Sequence, residues 1–258
     1  MVMPIADDNT GRLITPFVNY VLIAANVLIF VLFQGVGQNE KFTYAFSTVP
    51  KEIVSGKDLV TADRKVEHPV THQEVEVPGL QQTPISVYIT LLTSMFMHGG
   101  IAHLLGNMLF LWIFGDNIED TLGHLRYLVF YLVCGLIASL AHVFSTVIFS
   151  GVGSEQMLIP SLGASGAISG VLGGYIMLHP YRRVTVLMLR MMTQVPAYVA
   201  IGMWFAFQLI SSLGAFGGDS QLGGVAYAAH IGGFIAGLAL IRPFTVGTTP
   251  NESHTFAN

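Results

Sequence analysis

Residues 161–170 read SLGASGAISG, and the chain continues directly into the apolar run VLGGYIML over residues 171–178. The first ten of these residues hold three serines and three glycines, which are poor filler for the core helix of a soluble protein. Small residues let the backbones of membrane helices approach closely. The stretch therefore predicts a helix-packing surface, a hinge, or a place where a serine hydroxyl reacts.

The composition of the whole chain indicates a polytopic membrane protein. Of its 258 residues, 52% are hydrophobic and only 10% are charged, whereas soluble domains carry roughly 25% charged residues. The net charge of −4 does not indicate a nucleic-acid partner. The single cysteine, Cys134, cannot form an internal disulfide. The N-terminal residues MVMPIADDNTGR lack the basic start of a secretory signal peptide.

Six apolar stretches predict an all-α bundle of six membrane-spanning helices. We expect residues 1–13 to be a cytoplasmic N-terminal segment, residues 14–242 the membrane domain, and residues 243–258 a cytoplasmic tail. A long outer loop is expected over about 35–99, and its last part, 86–98, is apolar but too short to span a bilayer. The predicted spans are 14–34, 100–116, 127–149, 163–179, 195–213 and 224–242.

The basic residues orient this bundle through the positive-inside rule. Connections on one side of the membrane carry no Lys or Arg, except for the long loop, and long loops translocate largely regardless of charge. We therefore expect both termini in the cytoplasm and the long loop outside. The basic residues on the predicted inner side are Arg12, Arg126, Arg182, Arg183 and Arg242.

Polar side chains occur near the outer starts of three predicted spans that run in the same direction. The fourth span holds Ser165 near its start, and the sixth holds His230 about six residues in. A rise of 1.5 Å per residue puts His230 roughly 10 Å below the start of its helix. Ionisable residues at that depth usually face a bundle interior or a wet cavity and are functional. The second span contributes His98, His103 and Asn107.

Ser165 and His230 have the chemistry of a nucleophile and its base. Serine is a weak nucleophile until a base accepts its proton, and histidine is the usual base. The two residues can meet if the fourth and sixth spans touch, which small residues four apart allow. Since no Asp or Glu lies near His230 in the sequence, we expect a Ser–His dyad without a carboxylate. The small-residue pairs are Gly166 with Gly170 and Gly233 with Gly237.

His103 and Asn107 supply hydrogen-bond donors for a negatively charged intermediate. Their i, i+4 spacing places them on one face of the second span. Together with the backbone N–H of Ser165, they could hold the oxyanion that forms during acyl transfer, and losing one such donor typically costs about 10²–10³ in rate. The sequence therefore predicts an oxyanion site beside Ser165.

Other intramembrane chemistries lack the residues that they need. The chain has no HExxH motif, which a zinc protease of that type requires. Aspartyl catalysis needs two close carboxylates, but the acids of the second span cluster at its inner end without a partner acid in another span. The histidines could bind a metal in principle, yet they sit beside Asn107 and a serine. No metal or other cofactor is therefore expected.

The order and spacing of these residues resemble the rhomboid family of intramembrane serine proteases. The resemblance covers five of the six predicted spans and implies that Ser165 is the nucleophile and His230 the general base. Glu119 and Gly123 match a further pattern of the family. The motifs that carry the resemblance are HGGIAHLLGN (98–107), GASG (163–166) and AHIGGFIAG (229–237).

The resemblance also implies supporting roles. His103 and Asn107 would support the oxyanion, His98 would tie down the outer segment, and Glu119 would hold a hydrogen-bond network at the inner end. A mobile fifth span and a cap loop at about 214–224 would admit the substrate. Four glycines belong to the same structural network: Gly163, Gly166, Gly233 and Gly237.

The sequence departs from the family pattern at two places. Some relatives carry a tyrosine four residues after the catalytic serine, packed against the histidine, whereas this chain has Ser169. His230 must then be oriented by another group, for which Ser169 itself is a candidate. Some relatives also have a Trp-Arg or Glu-Arg pair in the outer segment, where this chain has Ile89 and Thr90.

The sequence thus predicts an intramembrane serine endopeptidase that cleaves transmembrane segments of membrane-anchored proteins. Its expected partners are those substrates and the lipid bilayer, without nucleic acid or metal, and its expected location is a bacterial inner membrane. A catalytically silent protein that binds or escorts transmembrane helices is the alternative. A channel or transporter is a second rival, but it would continue polar residues into the inner halves of the helices, which read LFLWIF, VLGGYIML and FIAGLALI.

Overall fold

The computed structural model describes residues 2–67, 74–188, 191–212 and 220–247. Six longer helices form most of the described structure: α1 (Phe17–Leu32), α5 (Ile101–Leu122), α6 (His124–Ser150), α7 (Ser165–Leu178), α8 (Ala197–Ser212) and α9 (Ser220–Thr245). Three short helices lie between α1 and α5: α2 (Glu40–Ala45), α3 (Pro50–Ser55) and α4 (Thr90–Thr93). The strands are β1 (Val2–Asp7), β2 (Arg64–Glu67), β3 (Glu74–Val77), β4 (Arg183–Met188) and β5 (Met191–Pro196).

Three of the described helices are long and apolar enough to cross a membrane: α5, α6 and the part Tyr227–Thr245 of α9. The helices α1 and α7 and the first part of α8 are apolar but shorter. The number of spans therefore stays a prediction. The predicted cap loop at 214–224 is helical from Ser220 onward, and its earlier residues lie outside the described ranges.

The prediction of an all-α fold is wrong in one respect, because two small antiparallel sheets accompany the helices. One sheet has the order β1-β4-β5, and the other pairs β2 with β3. In β4, the buried side chains of Val184 and Val186 alternate with more exposed neighbours, which is the pattern of a half-buried strand. The partner strand β1 lies near the N-terminus, so the pairing joins residues 177 to 186 positions apart.

Glycines mark the ends of two long helices. Gly123 separates α5 from α6 with a φ of +76°, and Gly151 ends α6 with a φ of +83°. Residues with a Cβ rarely adopt this left-handed backbone conformation. The chain can therefore reverse between α5 and α6 without a long loop, which brings the start of α6 close to the end of α5.

The close packing of α7 against α9 depends on glycines that face the partner backbone. A Cβ on Gly233 would overlap the carbonyl oxygen of Gly166, and a Cβ on Gly237 would overlap the carbonyl oxygen of Gly170. The predicted contact between these two glycine pairs is therefore present. Membrane helices can approach this closely only where both surfaces lack side chains.

The C-terminal end of α5 binds the start of α1. The Glu119 carboxylate, which is fully buried, accepts hydrogen bonds from the backbone N–H groups of Val18 at 2.8 Å and Asn19 at 2.7 Å. It also contacts His124 Nδ1 at 2.5 Å. The first N–H groups of a helix have no partner within the helix. Glu119 supplies acceptors for two of these groups in α1 and links α1 to the start of α6.

The strand β1 is fastened to the same end of the bundle. Asp7 accepts hydrogen bonds from the Tyr175 hydroxyl of α7 and from Asn117 Nδ2 of α5, both at 2.7 Å. Arg12 Nη1 bonds Asp116 Oδ2 at 2.7 Å. Burial raises the pKa of Asp7 to about 7. Two residues of the predicted N-terminal segment 1–13, Asp7 and Arg12, thus contact the helices.

Candidate active site

Ser165 and His230 meet where α7 begins. Ser165 is the first residue of α7, and its Oγ lies 2.8 Å from His230 Nε2, although the two residues are 65 positions apart in sequence. His230 is the eleventh residue of α9, since that helix begins at Ser220 and not at 224 as predicted. The distance is that of a hydrogen bond between a hydroxyl and an imidazole.

A cavity of about 170 Å³ opens beside this pair. It is bounded by the segment that precedes α5, by α6, by the start of α7 and by the middle of α9. Its lining mixes polar and small apolar residues, which suits a site that admits both water and part of a peptide chain. Besides Ser165 and His230, the lining includes Ser94, Met95, His103, Ala138, Ser139 and Gly163.

His103 reaches the cavity because Gly163 leaves room for its ring. Gly163 has a φ of +122°, and a Cβ at this position would lie 2.9 Å from His103 Cε1. The Gly163 backbone N–H donates to the Ser94 carbonyl at 2.8 Å, which fixes the turn before Ser165. The backbone around Ser165 is thus held close to the His103 ring, and only glycine fits between them.

Asn107 lies one turn further along α5 and does not line the cavity. Its side chain is buried, and its Nδ2 has no hydrogen-bond partner among the described residues. A buried amide donor without a partner is costly. The structure therefore brings His103 to the Ser165–His230 pair but leaves Asn107 as a nearby donor that lies outside the cavity wall.

His98 is buried between the outer segment and α1. Its backbone N–H donates to Gln34 Oε1 at 3.0 Å, and its carbonyl accepts from Gln34 Nε2 at 2.9 Å. Its ring stands edge-on to that of His103, with ring centroids 5.2 Å apart. The backbone of His98, more than its imidazole, joins this segment to the end of α1. No motif in the sequence pointed to Gln34.

Ser169 does not orient His230. Its hydroxyl donates to the Ser165 carbonyl within α7 at 2.7 Å, which is the usual bond of a helical serine to the preceding turn. Aromatic rings contact His230 instead. Trp204 of α8 has its ring centroid 6.1 Å from that of His230, and Tyr227 of α9 lies at 6.0 Å. The i, i+3 spacing of Tyr227 and His230 places both on one face of α9, whereas the sequence contains no local signal for the contact with Trp204.

The arrangement has the parts required for acyl transfer. The His230 ring can accept the Ser165 proton, and the first-turn N–H groups of α7 have no partners within the helix, so they can stabilise negative charge beside Ser165. The His103 ring lines the same cavity. Among the described residues, no cluster of three or more His, Cys, Asp or Glu side chains is arranged to hold a metal ion.

Comparisons with a family model and with known proteins identify the same family. Residues 86–245 match the model of the Rhomboid domain. The chain is 32% identical over 159 residues to "Rhomboid protein 1, mitochondrial" of Saccharomyces cerevisiae, covering 62% of this chain and 42% of that protein. It is 35% identical over 153 residues to "Rhomboid protease GluP" of Bacillus subtilis, covering 59% and 26% respectively.

A human relative shows the same extent of similarity. The chain is 30% identical over 172 residues to "Presenilin-associated rhomboid-like protein, mitochondrial" of Homo sapiens, covering 63% of this chain and 42% of that protein. The alignments span less than half the length of these three relatives. The matched residues include the whole cavity and all of the apolar helices except α1. This chain is therefore a membrane protein that belongs to the rhomboid family.

Proposed function

We propose that this protein is an intramembrane serine endopeptidase that cleaves the transmembrane segments of membrane-anchored proteins. The observation that carries the proposal is the hydrogen bond of 2.8 Å between Ser165 Oγ and His230 Nε2. A hydroxyl bonded to an imidazole beside a cavity is the arrangement of an activated nucleophile. Membership in a family with a relative named as a protease agrees with it.

The reaction proceeds in two halves. Ser165 Oγ attacks the carbonyl carbon of the scissile peptide bond while its proton passes to His230 Nε2, and a tetrahedral intermediate forms. His230 then gives that proton to the leaving amine as the C–N bond breaks, which leaves an acyl ester on Ser165. Water attacks the ester with His230 as general base, the acid product leaves, and the proton returns to Ser165.

The oxyanion of the tetrahedral intermediate needs donors on the side of the cavity facing His103. The backbone N–H of Ser165 lies at the start of α7, where the helix dipole favours negative charge. His103 lines the same cavity, and Asn107 has an amide donor without a partner among the described residues. We expect His103→Ala to lower kcat by about 10²–10³, as for other oxyanion donors.

The substrate enters from the lipid. We propose that α1, α5, α6, α7, α8 and α9 cross the bilayer with both termini in the cytoplasm and the cavity open to the outer face. A transmembrane helix hides its own peptide bonds, so its outer end must unwind before attack. Small residues near the scissile bond and helix-weakening residues beyond it are the expected substrate features. The helix α8 and the residues before α9 are the proposed route of entry.

We propose a bacterial inner membrane as the location of the protein. The Bacillus subtilis relative is bacterial, whereas two of the similar relatives carry "mitochondrial" in their names. Fractionation of cells from the source organism, followed by detection of the chain with an antibody, distinguishes a bacterial inner membrane from a mitochondrial one.

Purified protein in detergent, incubated with a panel of single-span model substrates, tests the activity. We expect cleavage inside the apolar segment of at least one substrate. Ser165→Ala and His230→Ala should each lower the rate by about 10⁴ or more, because each removes half of a unit that acts together. The matched control is Ser145→Ala on α6, whose hydroxyl bonds only the carbonyl of its own helix, and it should cleave normally.

Three results would contradict parts of this proposal. Cleavage that persists in Ser165→Ala defeats the assignment of the nucleophile. Labelling of wild-type protein by a fluorophosphonate at a residue other than Ser165 does the same. Stable binding of transmembrane segments with no cleavage of any substrate and no labelling favours the silent, helix-binding alternative.

A further inference from the structure

The second ring nitrogen of the His230 imidazole has no hydrogen-bond partner in the part of the chain that the structure describes. Nε2 bonds Ser165, whereas Nδ1 is buried and has no hydrogen-bond partner among the described residues. In serine hydrolases with a third catalytic member, a carboxylate at this nitrogen orients the ring and stabilises the imidazolium. Here the described residues offer Nδ1 no such group, and Ser169 bonds elsewhere. Another contact must do both tasks.

Two aromatic rings contact His230, but only one of them comes from another helix. Tyr227 lies three residues before His230 on α9, so it moves with His230 and cannot set the position of the ring relative to α7. Trp204 belongs to α8, and its ring centroid lies 6.1 Å from that of His230. The Trp204 ring also contacts Phe110 of α5, with ring centroids 5.7 Å apart.

Trp204 suits a ring that becomes positively charged during the reaction. A cation about 6 Å from the centroid of a tryptophan ring is attracted by the negative face of the π system. The imidazolium exists only after His230 has taken the Ser165 proton. An interaction with the charged ring therefore lowers the barrier more than it strengthens substrate binding.

We propose that Trp204 is the positioning residue of His230, and this inference rests on the proposed serine-protease function. Its indole ring, which contacts both Phe110 and His230, keeps the imidazole in line with Ser165 Oγ. The same ring stabilises the imidazolium once the proton has moved from Oγ to Nε2. Trp204 thereby orients His230 across the interface between α8 and α9, which Ser169 does not do.

The test measures the reaction of Ser165 with a fluorophosphonate as a time course in Trp204→Leu, Trp204→Phe and wild-type protein. The rate constant reports the alignment of the dyad, and the final amplitude reports the fraction of folded sites. We expect Trp204→Leu to label about 3- to 30-fold more slowly at unchanged amplitude, in line with the strength of such contacts. Trp204→Phe, which keeps a ring, should recover most of the rate.

A cleavable single-span substrate supplies the second measurement. Trp204→Leu should lower kcat by a similar factor and leave KM within about twofold of the wild-type value, since the contact strengthens only after proton transfer. The matched control is Trp112→Leu on α5. Trp112 is 56% exposed and stacks on Tyr20, so this variant should label and cleave at the wild-type rate.

Each outcome decides between distinct explanations. A wild-type rate constant in Trp204→Leu overturns the inference and leaves the Ser165–His230 dyad intact. A lower amplitude with an unchanged rate constant also overturns it, because Trp204 would then only pack. A failure of wild-type protein to label at Ser165 rejects the proposed function itself, independently of any Trp204 variant.

Discussion

Two side chains with separate tasks, His103 and Glu119, lie at opposite ends of α5. His103 is the third residue of that helix and borders the cavity, whereas Glu119 lies sixteen residues later, about 24 Å further along the helix axis. Glu119 therefore cannot touch a substrate in the cavity. It joins the start of α1 to the start of α6 by its hydrogen bonds with Val18, Asn19 and His124.

Glu119→Ala should destabilise the protein strongly. The substitution leaves two buried backbone N–H groups of α1 without an acceptor, and each such loss costs about 1–3 kcal/mol. Thermal unfolding in detergent should shift down by about 5–15 °C, given the usual conversion for a chain of this size. Glu40→Ala, at an exposed position at the start of α2, is the control. An unchanged unfolding temperature in Glu119→Ala would show that these hydrogen bonds contribute little.

At the scale of elements, the contact between α7 and α9 determines the distance between Ser165 and His230. Gly233 and Gly237 face the carbonyl oxygens of Gly166 and Gly170 with no room for a Cβ. The helix α6 covers the same place, where a Cβ on Gly170 would approach Cys134 Sγ to 2.8 Å. Cys134 is therefore a buried packing residue at the junction of three helices.

Gly237→Ala should push α9 away from α7. The new methyl group would collide with backbone, which cannot rotate away, so we expect a loss of about 1–3 kcal/mol and slower fluorophosphonate labelling of Ser165. Gly202→Ala in α8 is the control, because a Cβ there meets nothing within 4 Å; it should be neutral or slightly stabilising. Equal effects of both substitutions would mean that the close packing of Gly237 against α7 does not explain the loss.

At the scale of the whole molecule, buried carboxyl groups lie in both polar regions that flank the helices. Burial raises the pKa of Asp7, in β1, to about 7, and the neighbouring Asp116 acts in the same direction, while Tyr175 and Arg182 oppose it. Burial also raises the pKa of Glu52, in α3, to about 7. Both groups bind a proton more tightly in the folded protein than in the unfolded chain.

Stability should therefore fall as the pH rises from about 4 to about 7.5, between the unfolded and folded pKa values of these groups, and should change little at higher pH. A carboxyl group whose pKa is raised by folding contributes stability below its unfolded pKa and loses it as the pH rises through the folded pKa near 7. Asp7→Asn should reduce the slope of the unfolding temperature against pH, and Glu52→Gln should reduce it further.

Asp8→Asn is the matched control for this pH dependence. Hydrogen bonds with Thr10 lower the pKa of Asp8, so its contribution to stability changes only in the acid range. The slope above pH 5.5 should remain that of the wild type. If Asp7→Asn and Asp8→Asn both leave the slope unchanged, the loss of stability as the pH rises towards 7 does not originate at β1.

The composition predicted the membrane setting, and the spacing of the glycines predicted that the two glycine pairs could touch. They also singled out Ser165 and His230, which the structure places together, because a hydroxyl and an imidazole at matching depths stand out in apolar helices. Only the tertiary structure decided the sheet of β1, β4 and β5, the partner of Ser169 and the contact of Trp204 with His230. Each strand of that sheet is six residues long, and β1 pairs with residues 177 to 186 positions later in the chain. The Trp204 contact crosses between two helices. Periodicity within one segment carries no information about which distant segment lies beside it.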